Sequence, residues 1–167
     1  MKSFIIRILA VAFAVCYSVV LNAQTNETPK GPDLEYVCEL RVKCGNAFTV
    51  GKTAHGTRVV IPILGGTFEG PNMKGEVLSG GADYQLVDNE KGRNEVEAIY
   101  CIKTDDGVYI HVRNNGIIYT KGGMYFRCAP KFEAPSDSKY DWLNNAIFVC
   151  VPGFAQDCIA LKVWKVK

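Results

Sequence analysis

Histidine is nearly missing from this chain, with two in 167 residues, His55 and His111. The seven cysteines form no C-x-x-C pair, and neither histidine stands at ligand spacing from one, so no metal site is expected. There is no G-x-x-x-x-G-K, which excludes the common phosphate-cradling loop. There is no G-x-S-x-G either, and the few serines have no histidine in any known pattern, so a serine nucleophile has no support. No basic run occurs, and nothing points to nucleic acid. Nothing in the sequence calls for a cofactor. A sustained 3.6-residue apolar period is also lacking, which excludes a helical core.

What is present begins at the N-terminus with MKSFIIRILAVAFAVCYSVVLNAQ. Lys2 and Arg7 form a positive n-region, an apolar run from Ile8 to Leu21 follows, and Ala23 is a small residue before Gln24. That is the layout of a secretory signal peptide over residues 1–23. The apolar run is shorter than the ~20 residues of a spanning helix. Val15 is too large to precede a lipoprotein cysteine at Cys16. The expectation is a periplasmic or secreted protein, off the membrane once cleaved. Removing 23 of 167 residues leaves 144, one domain of ordinary size. Lys2 and Arg7 leave with the peptide, so the formal charge falls from +2 to zero. Residues 24–33, polar and holding Pro29 and Pro32, read as a loose arm before a domain over 34–167. Asn26-Glu27-Thr28 matches the glycosylation pattern by chance in so polar an arm.

Almost every later segment reads as a strand: 34–44, 57–64, 75–78, 82–87, 95–103, 108–113, 124–132, 146–151 and 159–166. Turn signals separate them, among them Asp105-Asp106-Gly107, Asn114-Asn115-Gly116 and Pro152-Gly153. Only 135–145 has room for a helical turn. One hairpin can be phased. For Val96, Ala98, Tyr100 and Ile102 to share a face with Val108, Ile110 and Val112, Ile102 must oppose Ile110 and Tyr100 must oppose Val112. That leaves Asp105-Asp106-Gly107 as a three-residue loop with glycine at its left-handed position. The two aspartates are thereby explained as turn residues, although paired carboxylates are also the pattern of acid–base catalysis. The stretch ILGGTFEGPNMKGEVLSGGADYQLV carries two Gly-Gly pairs among strand-forming residues. Glycines inside strands mark bends or close backbone approach, which a sheet needs to curl and close. The fold class is all-β, an antiparallel sandwich or barrel, and the glycine bends are what a sheet needs to close into a single barrel.

Six cysteines lie beyond residue 23. An even number in an exported chain suggests disulfides. Cys38 and Cys44 sit in one strand at ~3.3 Å per residue, too far apart to join. Cys150 and Cys158 flank Pro152-Gly153, and pairing them across a hairpin would align Val149 with Ile159 and Ile147 with Leu161. They are the expected disulfide.

GTRVVIPILGGTFEGPNMKGEVLSGGADYQ, TDDGVYIHVRNNG, YFRCAPKFE and YDWLN, in this order and over about 36–166, resemble the domain-of-unknown-function 3237 family. The resemblance implies a small antiparallel β-barrel with an internal cavity and carries over no catalytic residue. Tyr84 stands where the family usually has tryptophan, and the segment from Asn114 to Tyr125 is short, which would leave one mouth of the barrel more open. The cysteines do not belong to the family pattern.

The motifs hold a polar set. Asp83 and Gln85 share one strand face, opposite Tyr84. With lumen on that side they would tip a pocket with polar groups. Arg127 would bind a carboxylate or stabilise developing charge, and Asp83 or Glu133 would act as general base. The plainer alternative is an internal ion pair of Arg127 with Asp83 or Glu133. Trp142, Asn144, Tyr84, Gln85 and His111 complete the candidate ligand set, with His111 more simply read as solvent-exposed and Glu69 as a charge at a loop mouth. Two functions follow: a barrel that holds a small organic ligand, or a cofactor-independent isomerase, cyclase or lyase.

Overall fold

The structure is a computed structural model that describes residues 28–167. The expected signal peptide, its cleavage point, the Asn26 pattern and the first part of the arm lie outside the described residues. Thr28 to Asp33 are exposed and have no regular structure. Pro32–Lys167 form one compact unit.

Ten strands follow one another: β1 (Leu34–Cys44), β2 (Phe48–Thr53), β3 (Gly56–Glu69), β4 (Lys74–Val77), β5 (Ala82–Asp88), β6 (Arg93–Thr104), β7 (Tyr109–Tyr119), β8 (Tyr125–Glu133), β9 (Phe148–Phe154) and β10 (Ile159–Val166). The one helical element is a 3-10 turn, Asp141–Asn145. All pairings are antiparallel, and β1 pairs with both β10 and β3, so the sheet closes. The result is an eight-stranded antiparallel barrel. β4 and β5 share one position between β3 and β6, and β2 lies outside the ring along the first half of β3.

The glycine pairs do the bending. β3 runs on through Gly65-Gly66, where it leaves β5 and joins β1 and β4. Gly66 has φ +143° and packs against the Arg41 carbonyl, with no room for a side chain. Gly81, with φ +79°, meets the Ile99 carbonyl at the start of β5 in the same way. The β6–β7 hairpin has the register that its apolar phasing requires, Ile102 opposite Ile110 and Tyr100 opposite Val112. Its loop is 105–107 with Gly107 at φ +89°. Asp106 is a structural anchor there. Its carboxylate accepts a hydrogen bond from the Tyr140 hydroxyl (2.8 Å) and faces Lys139 Nζ at 2.9 Å. These contacts, with the Thr104 side chain the largest, hold its pKa far below the usual carboxylate range.

Two expected turns are strand. Asn114-Asn115-Gly116 lies inside β7, paired on one side with Ala98, Glu97 and Val96 and on the other with Pro130, Ala129 and Cys128. Partners on both sides outweigh local turn preference. Gly116 is needed because the Cys128 thiol lies where a side chain would go. Pro152-Gly153 is likewise inside β9, opposite Leu161 and Ala160. Proline is tolerated there because β9 is bridged to β8 at Cys150 alone. The chain turns later, at 155–158, where the Ala155 N–H donates to the Cys158 carbonyl.

That displacement removes the expected Cys150–Cys158 pair. Ile159 faces Phe154 rather than Val149, and Cys150 faces Val163. All six cysteines of the described residues are free. Across the other edge of β9, Cys150 stands opposite Cys128. Strand β2 was not anticipated: FTVGKT has exposed side chains on both faces and no buried stripe to betray it.

Candidate functional site

Along the barrel the lumen changes character. One half is filled by Leu40, Ile102, Ile110, Phe132, Phe148 and Val163, each no more than 2% exposed. Phe132 and Phe148 meet edge to face at 5.0 Å, and the 3-10 turn caps this half with buried Leu143 and with Trp142, 6.1 Å from the Phe148 ring. Such packing leaves no space for a ligand.

The other half holds a pocket of about 170 Å³. Ile61, Ile63, Val96, Ile118, Phe126 and Leu161 make most of its wall. Into it the strands bring four polar groups: Asp83 and Gln85 from β5, Tyr100 from β6 and Asn114 from β7. Phe154, 70% exposed, stands at its rim against Phe126.

Asp83 and Gln85 do share the lumen face, and Tyr84 faces out, where it lines a shallow surface groove with Arg58 and Glu95. Asp83 is fixed by a gap in the β5–β6 ladder. Asp83 pairs with Ala98 and Leu86 with Glu95, but Tyr84 and Gln85 have no β6 partner. The Glu97 N–H donates instead to Asp83 Oδ1 (3.0 Å), while Gln85 Nε2 donates to Oδ2 (2.6 Å). Burial raises the Asp83 pKa, the two hydrogen bonds oppose that rise, and the nearby Glu97 charge adds to it. The carboxylate is thus oriented and partly desolvated, the condition under which it serves as a base. Burial and the Asp83 charge push the neighbouring Cys128 thiol up to about 12, so it stays neutral and is no nucleophile at ordinary pH.

Two pocket groups were not among the sequence candidates. Tyr100 is 3% exposed and Asn114 4%. The Tyr100 hydroxyl and Asn114 Oδ1 are buried without a hydrogen-bond partner. Alternation alone makes Tyr100 an apolar face residue, and Asn-Asn-Gly predicts a turn at Asn114. The signal that would have found Asn114 is its phase with Ile110 and Val112.

The other candidates do not converge on Asp83. Arg127 is on the outer face, where its guanidinium donates to the Phe126 carbonyl (2.7 Å) and lies over the Tyr125 ring at 5.3 Å. Glu133 is also outside, between Lys131 and His111, whose Nδ1 is 3.8 Å away. In β8 the lumen takes Phe126, Cys128, Phe132 and their phase, so odd-numbered Arg127 and Glu133 must point to solvent. Neither the expected ionic cluster nor the closing ion pair forms. Asn144 is a structural staple. Its amide exchanges hydrogen bonds with both backbone groups of Ala134 (2.8 and 2.9 Å) and donates to Asp141 (2.9 Å). Trp142 belongs to the packed end, with Lys165 Nζ over its ring at 5.8 Å. His111 is on the outer face, opposite Cys101 and Glu133. Among the described residues no group of three or more histidine, cysteine or acidic side chains is arranged to hold a metal ion. No described helix is long and apolar enough to cross a membrane.

Residues 32–166 match the family model described as a protein of unknown function, DUF3237. The chain belongs to this family. A UPF0311 protein of Rhodopseudomonas palustris is 35% identical over 152 residues, covering 81% of this chain and 98% of the relative. The crystal structure of a conserved protein of unknown function from that organism superposes with a TM-score of 0.75 at 32% identity, covering 84% of this chain and all of the other. A more distant relative, from Penicillium herquei, is named a hydroalkoxylation enzyme. It is 26% identical over 139 residues, 83% of this chain and 87% of its own. The crystal structure of an enzyme from the same organism has a TM-score of 0.69 at 25% identity, covering 85% of this chain and 99% of the other.

Proposed function

We propose that the pocket around Asp83 binds a small organic molecule and that Asp83 acts there as general base in a cofactor-free proton transfer: an isomerisation, a cyclisation or an addition to a double bond. The observation that carries this reading is a carboxylate held by two hydrogen bonds, inside an otherwise apolar pocket, with its pKa raised. The name of the Penicillium herquei relative gives it further support. Hydroalkoxylation adds an O–H across a carbon–carbon multiple bond. All atoms stay in the product, and the reaction consumes no redox equivalent, so a base and a shaped pocket suffice. A carboxylate base of this kind accelerates its step by ~10²–10⁴.

The test uses a compact hydroxyaryl vinyl ketone, which closes when its phenol oxygen adds to the terminal alkene carbon. Asp83 would take the phenol proton, the new C–O bond would form as the π pair moves onto the carbonyl-conjugated carbon, and that carbon would then be protonated. Wild type should outpace buffer, and Asp83→Asn should lose ~10²-fold or more. Equal rates for the two proteins, or no acceleration by wild type, would sink the reading.

The same proposal places the protein outside the cytoplasm, because residues 1–23 have the order of a signal peptide. Protein isolated from its native host should begin near Gln24. Recovery of intact Met1 in a soluble cytoplasmic fraction would reverse this.

A further inference from the structure

The two unpartnered atoms say more about the ligand than Asp83 does. Burying a polar atom without a partner is costly, and native folds keep few of them. Among the described residues three buried side-chain atoms are in this state, and two of them, the Tyr100 hydroxyl and Asn114 Oδ1, belong to residues of the one pocket. Their chemistry differs. Tyrosine offers an O–H donor. The unpartnered atom of Asn114 is its amide oxygen, a pure acceptor. The pocket therefore lacks one acceptor and one donor.

Charge narrows the class further. No lysine, arginine or histidine lines this pocket, and Asp83 does. A carboxylate or phosphate would enter beside a like charge with nothing to compensate it. A cation would have to shed its water against isoleucine, valine and phenylalanine, and both Asp83 oxygens already accept hydrogen bonds from the protein. Size sets the last limit. A dry cavity of ~150 Å³ holds one benzene ring, and this pocket measures about 170 Å³.

We propose that the ligand is an uncharged, single-ring-sized molecule carrying both a carbonyl and a hydroxyl, the carbonyl received by the Tyr100 O–H and the hydroxyl donating to Asn114 Oδ1. The proposal rests on this pocket being the working site, as inferred above, but it concerns recognition and not the proton transfer. Tyr100 and Asn114 are specificity residues in it.

The experiment is a calorimetric titration of the purified protein with probes of matched size. They are the three isomers of hydroxyacetophenone, which have both groups; acetophenone, with the acceptor alone; 3-ethylphenol, with the donor alone; 3-hydroxybenzoate, an anion; and phenethylammonium, a cation. At least one hydroxyacetophenone should bind about tenfold or more tighter than every other probe. Tyr100→Phe should bring that isomer down to the level of 3-ethylphenol and leave 3-ethylphenol itself unchanged. Asn114→Leu should bring it down to the level of acetophenone, with acetophenone unchanged. Both substitutions remove an unpartnered polar atom, so both proteins should fold. Binding of the anion or the cation as tightly as the best isomer, failure of every isomer to bind, or selectivity that survives both substitutions would each overturn the proposal. Asp83→Asn, which decides the proton-transfer reading by rate, should keep the preference for that isomer over acetophenone and 3-ethylphenol, which depends on Tyr100 and Asn114, so the two readings can fail separately.

Discussion

The two halves of the barrel are built by the same strands and obey opposite rules. On β6, Ile102 is sealed in the packed half, and Ala98 and Val96 line the pocket two and three positions further along the same face. On β7, Ile110 and Val112 are buried against phenylalanine, and the next lumen residue is Asn114. The packed half satisfies its rare polar group locally: Thr104 Oγ1 exchanges hydrogen bonds with both backbone groups of Val108. The pocket half leaves two such groups unsatisfied and holds an acid among hydrocarbons. Tight packing is concentrated at one end of the barrel, and the unsatisfied polar groups lie at the other.

Phe132→Ala should show the largest effect, because it empties the packed half where Phe148 cannot follow. A loss of ~3–5 kcal/mol is expected in urea unfolding, and a loss below 1 kcal/mol would mean that the packed half is not the source of stability. Asn114→Leu should act in the opposite direction. Removing a buried acceptor that has no partner should stabilise the protein by about 1 kcal/mol in the same assay, and a clear destabilisation would show that Asn114 is a structural element like Thr104.

Asp83→Asn should give a smaller difference, and one that depends on pH. The folded-state pKa of Asp83 is raised above its ordinary value of 3.8. The folded protein therefore holds this proton more tightly than the unfolded chain. Its contribution to stability is fully present below the unfolded value and is lost as pH rises through the folded one. The stability of the variant relative to wild type should be greatest near neutral pH and should shrink as pH falls towards 3.8. Unfolding midpoints for both proteins at neutral and at acid pH measure this, and a gap that widens on acidification would contradict the sign. Arg127→Ala should do least. Its guanidinium is on the outer face, so thermal melts should shift by no more than ~0.5 kcal/mol equivalent. A loss of several kcal/mol would restore the buried ion pair that the structure does not contain.

How far the site could be read in advance depended on strand phase. Alternation within ADYQLV puts Asp83 and Gln85 on one face, but that this face is the lumen comes from barrel closure. Arg127 and Glu133 were grouped with them only because their motifs recur in the family, and family membership says nothing about which face a residue occupies. Asn114 was missed because Asn-Asn-Gly is strong turn chemistry, and Cys150–Cys158 was expected because Pro-Gly is. Asn-Asn-Gly and Pro-Gly lie instead inside strands, where pairing with the neighbouring strands continues past the turn signal.

The sequence by itself determined the all-β class, the β6–β7 register and loop, and the places where glycines let β3 and β5 bend, since each is legible from residue type and alternation along the chain. Only the tertiary structure decided where β7 and β9 end, which cysteines face each other and which polar side chains meet. Barrel closure supplies those answers: it pairs β1 with β3 and β10, turns one alternating face into a lumen, and so decides which half is filled and which half is left open.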